Sequence, residues 1–267
     1  QLLRSILRLY ALLAGSDGLL DEEKQRIEEF LHHHLSGRSV ARFLEILEQW
    51  TENVQKEKNN SGWLDKQLEN ICHSVNKELL LAQKFYLFLE LIELSGVDGM
   101  VSSDERHILS AIPRLLNLPD DDVQALTLFA TGIQEEDFNG KHILLISNRK
   151  NPNLSESDFW EIPDVEGLIV VLKLPSVECY FVRLIGQAES YLNGQIMLPG
   201  MSRIWAPGTT FRQEKCDPIY FNFIQERFSA PVDKPRISFE AKGLEYKFND
   251  GRIGLSNIHV SEQGGRM

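Results

Sequence analysis

Two acidic segments of the sequence hold the residues best suited to binding a metal ion. Each contains an Asp-Gly pair followed by two apolar residues and then acidic or hydroxyl side chains, and the second pair lies 81 residues after the first. Carboxylate oxygens are the ligands that Ca²⁺ and Mg²⁺ prefer. Convergence of the two segments would create a divalent-cation site, whose ligands would be Asp17, Asp21, Asp98 and Asp104.

Neither segment has the spacing of an EF-hand calcium loop. Counted from Asp17, the third position is Leu19, which has no side-chain oxygen, and the sixth is Glu22, where that loop requires glycine. The alternative role for these carboxylates is to cap and solvate helix starts. Both roles stay open on the sequence alone.

Catalytic machinery is not recognisable in this sequence. The phosphate-binding pattern G-x-x-x-x-G-K-[ST] does not occur, and without its lysine and its loop ATP hydrolysis is not supported. Serine and histidine residues are present, but spacing alone does not select a nucleophile and its base. We therefore predict that this chain contains no catalytic residues.

The distribution of charge divides the chain near residue 138. Residues 1–138 hold 13 Lys and Arg against 24 Asp and Glu, whereas residues 139–267 hold 15 of each. The excess acid argues against nucleic acid as a partner of the first part. Three scattered cysteines indicate a reducing compartment, and neither a signal peptide nor an apolar stretch of about 20 residues is visible. A soluble cytoplasmic chain is expected.

Residues 1–131 have the apolar spacing of helices. Asp21 and its acidic neighbours predict the start of one helix, and Ser102 with the acids behind it predicts another. Pro113 is expected to kink or end the helix that begins at Ser102. Each Asp-Gly pair follows an apolar helix and precedes an acidic one, so the first 138 residues are predicted to contain an internal repeat of helical units.

Beyond residue 140 the pattern changes to short strands. The predicted strands are 143–147, 168–174, 179–184 and 190–192. Asn193-Gly194 stands between two apolar segments and predicts a two-residue hairpin turn. We expect a small antiparallel β domain at 139–228, a linker at 229–235 and a further β segment at 236–267, which makes the fold class α+β.

The helical part resembles the tellurite-resistance TerB family of small helical domains. The resemblance covers roughly residues 1–131 and rests on the repeated order of helix, Asp-Gly, two apolar residues and an acidic helix start. It implies a helical bundle over 1–138. It also implies clustered acidic side chains and a link to divalent metal and to membrane-stress systems.

The β domain resembles the second half of a forkhead-associated β-sandwich. The shared segment runs from Tyr191 to Arg212 and contains turns at Asn193-Gly194, Pro199-Gly200 and Pro207-Gly208. We do not identify the phosphothreonine-binding arginine and serine of that family in this sequence, so phosphopeptide binding is not carried over.

The segment 236–267 resembles the opening antiparallel strands of the ABC ATPase domain, especially in exporters that place the ATPase ahead of a membrane domain. It shares with them a strand that ends in Tyr246 and Phe248, a glycine turn, and Gly254-Leu255-x-x-Ile258. The resemblance implies that Phe248, with Tyr246 beside it, stacks on the adenine of ATP. It further implies that the phosphate-binding loop follows shortly after residue 267. The other role for the two aromatic residues is ordinary strand packing.

These observations favour the non-catalytic N-terminal region of an ABC-type transporter ATPase, with a regulatory or scaffolding role. ATP would then be a cofactor of the longer protein, and Ca²⁺ or Mg²⁺ a ligand of the acidic segments. The expected partners are the remainder of the ATPase, its membrane domain at the inner face of the membrane, and a second copy of the chain. The alternative is a stand-alone adaptor of a stress-response system, and a metal-dependent enzyme is a third class.

Overall fold

The computed structural model describes residues 2–15, 18–35, 37–57, 60, 62–96, 101–149, 158–229, 238–248 and 251–263. Within these residues helices come first, followed by two sheets and a hairpin. The helices are α1 (Leu2–Ala14), α2 (Asp21–His34), α3 (Gly37–Glu57), α4 (Trp63–Glu78), α5 (Leu81–Ser95), α6 (Ser103–Leu116), α7 (Asp120–Thr131) and α8 (Phe221–Arg227). The α+β class predicted from the sequence is confirmed.

The strands lie between α7 and α8 and after α8. They are β1 (Ile143–Ser147), β2 (Phe159–Glu161), β3 (Leu168–Leu174), β4 (Cys179–Ile185), β5 (Ser190–Leu192), β6 (Gln195–Met197), β7 (Ser202–Ile204), β8 (Thr210–Gln213), β9 (Ile219–Tyr220), β10 (Ser238–Lys247) and β11 (Ile253–Gln263). Four predicted strands therefore form, and β4 is one residue longer than expected.

Helix α5 is one of the two most buried helices of the helical domain, together with α1. Its side chains are buried around most of its circumference, including those of Phe85, Leu89 and Leu91. A helix that is apolar all round must be covered on every side. Helix α1 packs against α3, α4, α5 and α6, and α5 also packs against α2, α6 and α7, so the helices share one core.

Helix α6 begins as predicted but does not end at its proline. Ser102 occupies the N-cap, and its hydroxyl accepts a hydrogen bond from the backbone N–H of Glu105 at 3.2 Å. Pro113 lies within the last turn of α6. The helix continues to Leu116 and ends at Asn117, which has a positive φ of 58°. The N–H of Leu118 donates to the carbonyl of Pro113 at 2.9 Å and closes the C-terminal end of the helix.

The β domain contains a five-stranded sheet in the order β2-β1-β3-β4-β7 and a four-stranded sheet in the order β6-β5-β8-β9. The pairs are antiparallel except for β1 and β2, which run parallel. This pair departs from the purely antiparallel domain that the sequence predicts. A parallel pair cannot be joined by a tight turn, and residues 148–158 supply the longer connection between the two strands.

The larger sheet is buried on both faces. Val170 and Phe181 belong to the core shared with the helices, whereas Val171 and Val182 belong to the core between the two sheets. Side chains alternate between the faces of a strand, so a strand covered on both sides must be apolar at successive positions. This requirement explains why β1 and β3 are apolar at every position except Ser147 and Lys173.

The C-terminal hairpin pairs β10 with β11 in antiparallel fashion. It forms a separate two-stranded sheet that pairs with none of the other described strands. Of the predicted linker, Ser229 alone lies within the described residues. No helix in the described part of the chain combines the length and the apolar character needed to cross a bilayer.

Candidate functional site

The aromatic pair predicted at the end of β10 forms a contact. Tyr246 and Phe248 lie two residues apart, so their side chains project from the same face of the chain. Their ring centroids are 5.0 Å apart and the ring planes meet at 81°. This edge-to-face arrangement is the favourable one for two aromatic quadrupoles.

A tight turn fixes the position of Phe248. The N–H of Phe248 donates to the carbonyl of Arg252 at 2.8 Å, and the N–H of Gly251 donates to the carbonyl of Phe248 at 2.9 Å. Gly251 has a φ of 85°, a conformation that glycine adopts without a steric penalty. Phe248 is therefore held at the point where the hairpin reverses.

Arg252 and Gly254 on the returning strand adjoin the ring of Phe248. The guanidinium carbon of Arg252 lies 5.8 Å from the ring centroid, within the range of a cation–π contact. Gly254 lies beneath both rings, because a Cβ at this position would come within 2.7 Å of Phe248 and 3.1 Å of Tyr246. Any larger residue at position 254 would displace the aromatic pair.

Both aromatic rings are open to a ligand. Tyr246 is 53% exposed and Phe248 is 46% exposed. Other large apolar side chains of the hairpin are also exposed, namely Leu244, Ile253, Leu255, Ile258 and Val260. The arrangement can stack on a flat aromatic ring, and the cationic Arg252 beside Phe248 suits a negatively charged ligand.

The described carboxylates of the acidic segments lie at helix starts. Asp21 is the first residue of α2, and Asp104 lies in the first turn of α6. Asp21 does not occupy the cap position, which belongs to Leu20. Asp17 and Asp98 lie outside the described residues. In the described part of the chain, no group of three or more His, Cys, Asp or Glu is arranged to hold a metal ion, and the four-aspartate site stays a prediction.

The capping carboxylates are Glu23 and Glu105, which the sequence indicated only as acids of the first helical turn. Glu23 accepts from the N–H of Leu20 at 2.9 Å, and Glu105 accepts from the N–H of Ser102 at 2.7 Å. Both follow their cap by three residues, the spacing of a capping box. The helical repeat thus extends to the way in which its two acidic helices begin.

A second cluster of charged residues was also missed. Glu90 and Glu93 interrupt the apolar sequence of α5, and both side chains are almost fully buried. Arg26 of α2 forms ion pairs with both. Two acids within an otherwise apolar helix are the sequence signal that could have revealed this cluster, since buried carboxylates require partners.

The comparison with protein families places the helical part. Residues 4–128 match the family described as Tellurite resistance protein TerB. The match covers most of α1, all of α2 to α6 and most of α7, and it confirms the resemblance inferred from the repeated Asp-Gly pairs. No curated protein and no solved structure matches the chain. The resemblances of the β domain and of the C-terminal hairpin stay predictions.

Proposed function

We propose that this chain, whose residues 4–128 form a TerB domain, is the non-catalytic regulatory or scaffolding region of an ABC-type transporter ATPase. The observation that carries the proposal is the exposed hairpin with its open aromatic pair. The TerB domain and the β domain would bind or sense a partner, and the hairpin would join them to the ATPase.

The exposure of the hairpin supports a larger sheet around it. An isolated two-stranded ribbon is marginal in water, and apolar side chains on it gain nothing until further strands or another layer cover them. Val260 and Ile258 are each 38% exposed, and Ile253 is 62% exposed. The antiparallel sheet of an ATP-binding cassette would supply that cover.

The geometry of the aromatic pair supports a role in holding the adenine of ATP. Stacking on an aromatic ring favours a base through its flat face, without reading its edge. Phe248 would be the stacking ring, Tyr246 would support it from the side, and Gly254 would leave room for both. The phosphates would bind to a loop elsewhere in the longer protein, so this segment supplies affinity for the base and takes no part in hydrolysis.

This function implies a location and partners. The chain would lie at the inner face of a membrane through the membrane domain of the transporter, and it would move with the ATPase. A divalent cation, Ca²⁺ or Mg²⁺, would bind to the acidic segments of the TerB domain. Calorimetry with each metal tests this last part, and variants with Asp17→Asn or Asp98→Asn should lose the heat of binding.

The reading frame gives the first test. A phosphate-binding motif encoded within about ten codons after Met267 is the expected result, since the cassette places that loop directly after these strands. A native stop codon at this point would overturn the proposal and favour the stand-alone adaptor.

Nucleotide binding by the full-length protein gives the second test. Loss of one base-stacking ring costs about 1–3 kcal/mol, so Phe248→Ala should weaken the binding of a fluorescent ATP analogue by about 5- to 150-fold. Ile253→Ala is the matched control, because it removes an exposed apolar side chain of the same hairpin without removing a ring. Equal dissociation constants for Phe248→Ala and the unmodified protein would contradict the adenine role.

A further inference from the structure

A buried carboxylate connects the helical domain to the β domain. Glu93 of α5 accepts a hydrogen bond from the backbone N–H of Ser202 on β7, at 3.0 Å to Oε1. Its second oxygen, Oε2, accepts from the guanidinium of Arg26 on α2. Only 6% of the Glu93 side chain and 11% of the Arg26 side chain are exposed. One carboxylate thus bridges two helices and a strand.

A charged side chain of the β domain also contacts the helical domain. Arg183 of β4 donates from Nη1 to the carbonyls of Phe129 and Gly132 at 2.9 and 3.0 Å, at the C-terminal end of α7. Its Nε donates to the carbonyl of Gly200 at 3.2 Å. A cation at a helix C-terminus is favoured by the carbonyls that have no partner within the helix. The two domains are therefore joined by charge-assisted hydrogen bonds in both directions.

The cluster tolerates little rearrangement. Burial raises the pKa of Glu93, while the charge of Arg26 acts in the opposite direction. Glu90 lies 3.6 Å from Arg26 and competes for the same guanidinium. A buried carboxylate that loses one of its partners is left poorly compensated, so displacing Arg26 must change how Glu93 holds the strand.

The two helices of the cluster adjoin the two Asp-Gly segments. α2 begins three residues after Gly18, and α5 ends at Ser95, shortly before Asp98. We infer that Glu93 transmits a change in the packing of α2 against α5 to β7, so that a partner bound to the helical domain alters the β domain. This inference does not depend on the proposed ATPase, since every group in it belongs to the described TerB and β domains.

Amide hydrogen exchange on the purified chain tests the inference. Arg26→Gln should raise the exchange rate of the Ser202 amide and its β7 neighbours by about 10-fold or more, the factor expected when a charge-assisted hydrogen bond is lost. The same change in a Glu93→Gln background should add no further increase. Glu69→Gln is the control, because Glu69 is an exposed carboxylate on α4, and it should leave β7 unchanged.

The rival explanation is a direct effect of Arg26 on β7, since Arg26 lines a small cleft together with Met201 and Arg203. An increase that persists in the Glu93→Gln background would establish that rival and overturn the inference, as would unchanged exchange in Arg26→Gln. Arg26→Lys keeps the charge and should give an intermediate increase, which provides a measurement if Arg26→Gln does not fold.

Discussion

Replacing Phe181 with alanine should unfold the helices and the sheets together. Phe181 lies on β4, is fully buried, and belongs to the core shared with the helical domain. Its ring centroid is 6.5 Å from that of Phe129 on α7. Truncating a buried phenylalanine to alanine costs about 3–5 kcal/mol, through lost transfer free energy and the cavity left behind.

The expected change in melting temperature follows from the size of the folded unit. For a unit of about 150–250 residues, each kcal/mol moves the melting temperature by about 2–4 °C, so Phe181→Ala should lower it by about 6–20 °C. Circular dichroism at a helical band follows α1 to α7. Fluorescence, measured in a background where Trp50 and Trp63 of the helical domain are replaced by phenylalanine, follows Trp160 and Trp205 of the β domain. Both signals should shift by the same amount.

A matched control is available on the hairpin. Tyr246→Ala removes an aromatic side chain that is 53% exposed, so it should leave the melting temperature nearly unchanged. If Phe181→Ala lowers the fluorescence transition and leaves the helical transition in place, the two domains unfold independently. The shared core would then contribute little to holding them together, and our reasoning would be refuted.

Three further outcomes are expected. Ser102→Ala should lower the unfolding free energy by about 0.5–2 kcal/mol in chemical denaturation, because α6 loses its capping hydroxyl. Gly194→Ala should destabilise by about 1 kcal/mol, since Gly194 has a φ of 78° that alanine adopts poorly, whereas Gly37→Ala, with open space around its Cβ, should not. The raised pKa of Glu93 means that its protonated form favours the folded state, so its contribution to stability is present below the unfolded pKa and declines as pH rises through the folded pKa. Chemical denaturation at a series of pH values measures this: the unfolding free energy of Glu93→Gln should lack the decline with rising pH that the unmodified protein shows.

The parts of the fold that the sequence predicted are those with a strong local signal. β1 and β3 were located at their observed bounds because both are predominantly apolar segments rich in strand-forming residues. The hairpin of β5 and β6 followed from Asn193-Gly194, and both residues have the positive φ that this turn requires. The parallel pairing of β2 was not predictable, because strand direction depends on where a long connection leads.

The candidate site was likewise predictable only where a local pattern encodes it. The pairing of Tyr246 with Phe248 follows from alternation along one strand. The approach of Arg252 and Gly254 depends on the bulges that shift the pairing of β10 with β11, and no short pattern encodes these. The contact between Glu93 and Ser202 joins residues 109 positions apart, so the sequence indicates only that Glu93 needs a partner.

The sheet that is covered on both faces carries a risk during folding. In a strand with one solvent-exposed face, a register shift of one residue moves apolar side chains into water and is therefore strongly disfavoured. In β3, the same slip would move Val170 into the core between the sheets and Val171 into the core shared with the helices. Both side chains would stay buried, so the hydrophobic effect would penalise the slip only weakly. Arg183 of β4 pairs with Val170 of β3 and is anchored at the end of α7. Polar contacts such as these must therefore be the reference points that align β3 through its neighbour, and substitutions there should produce misaligned, aggregation-prone chains before they produce unfolded ones.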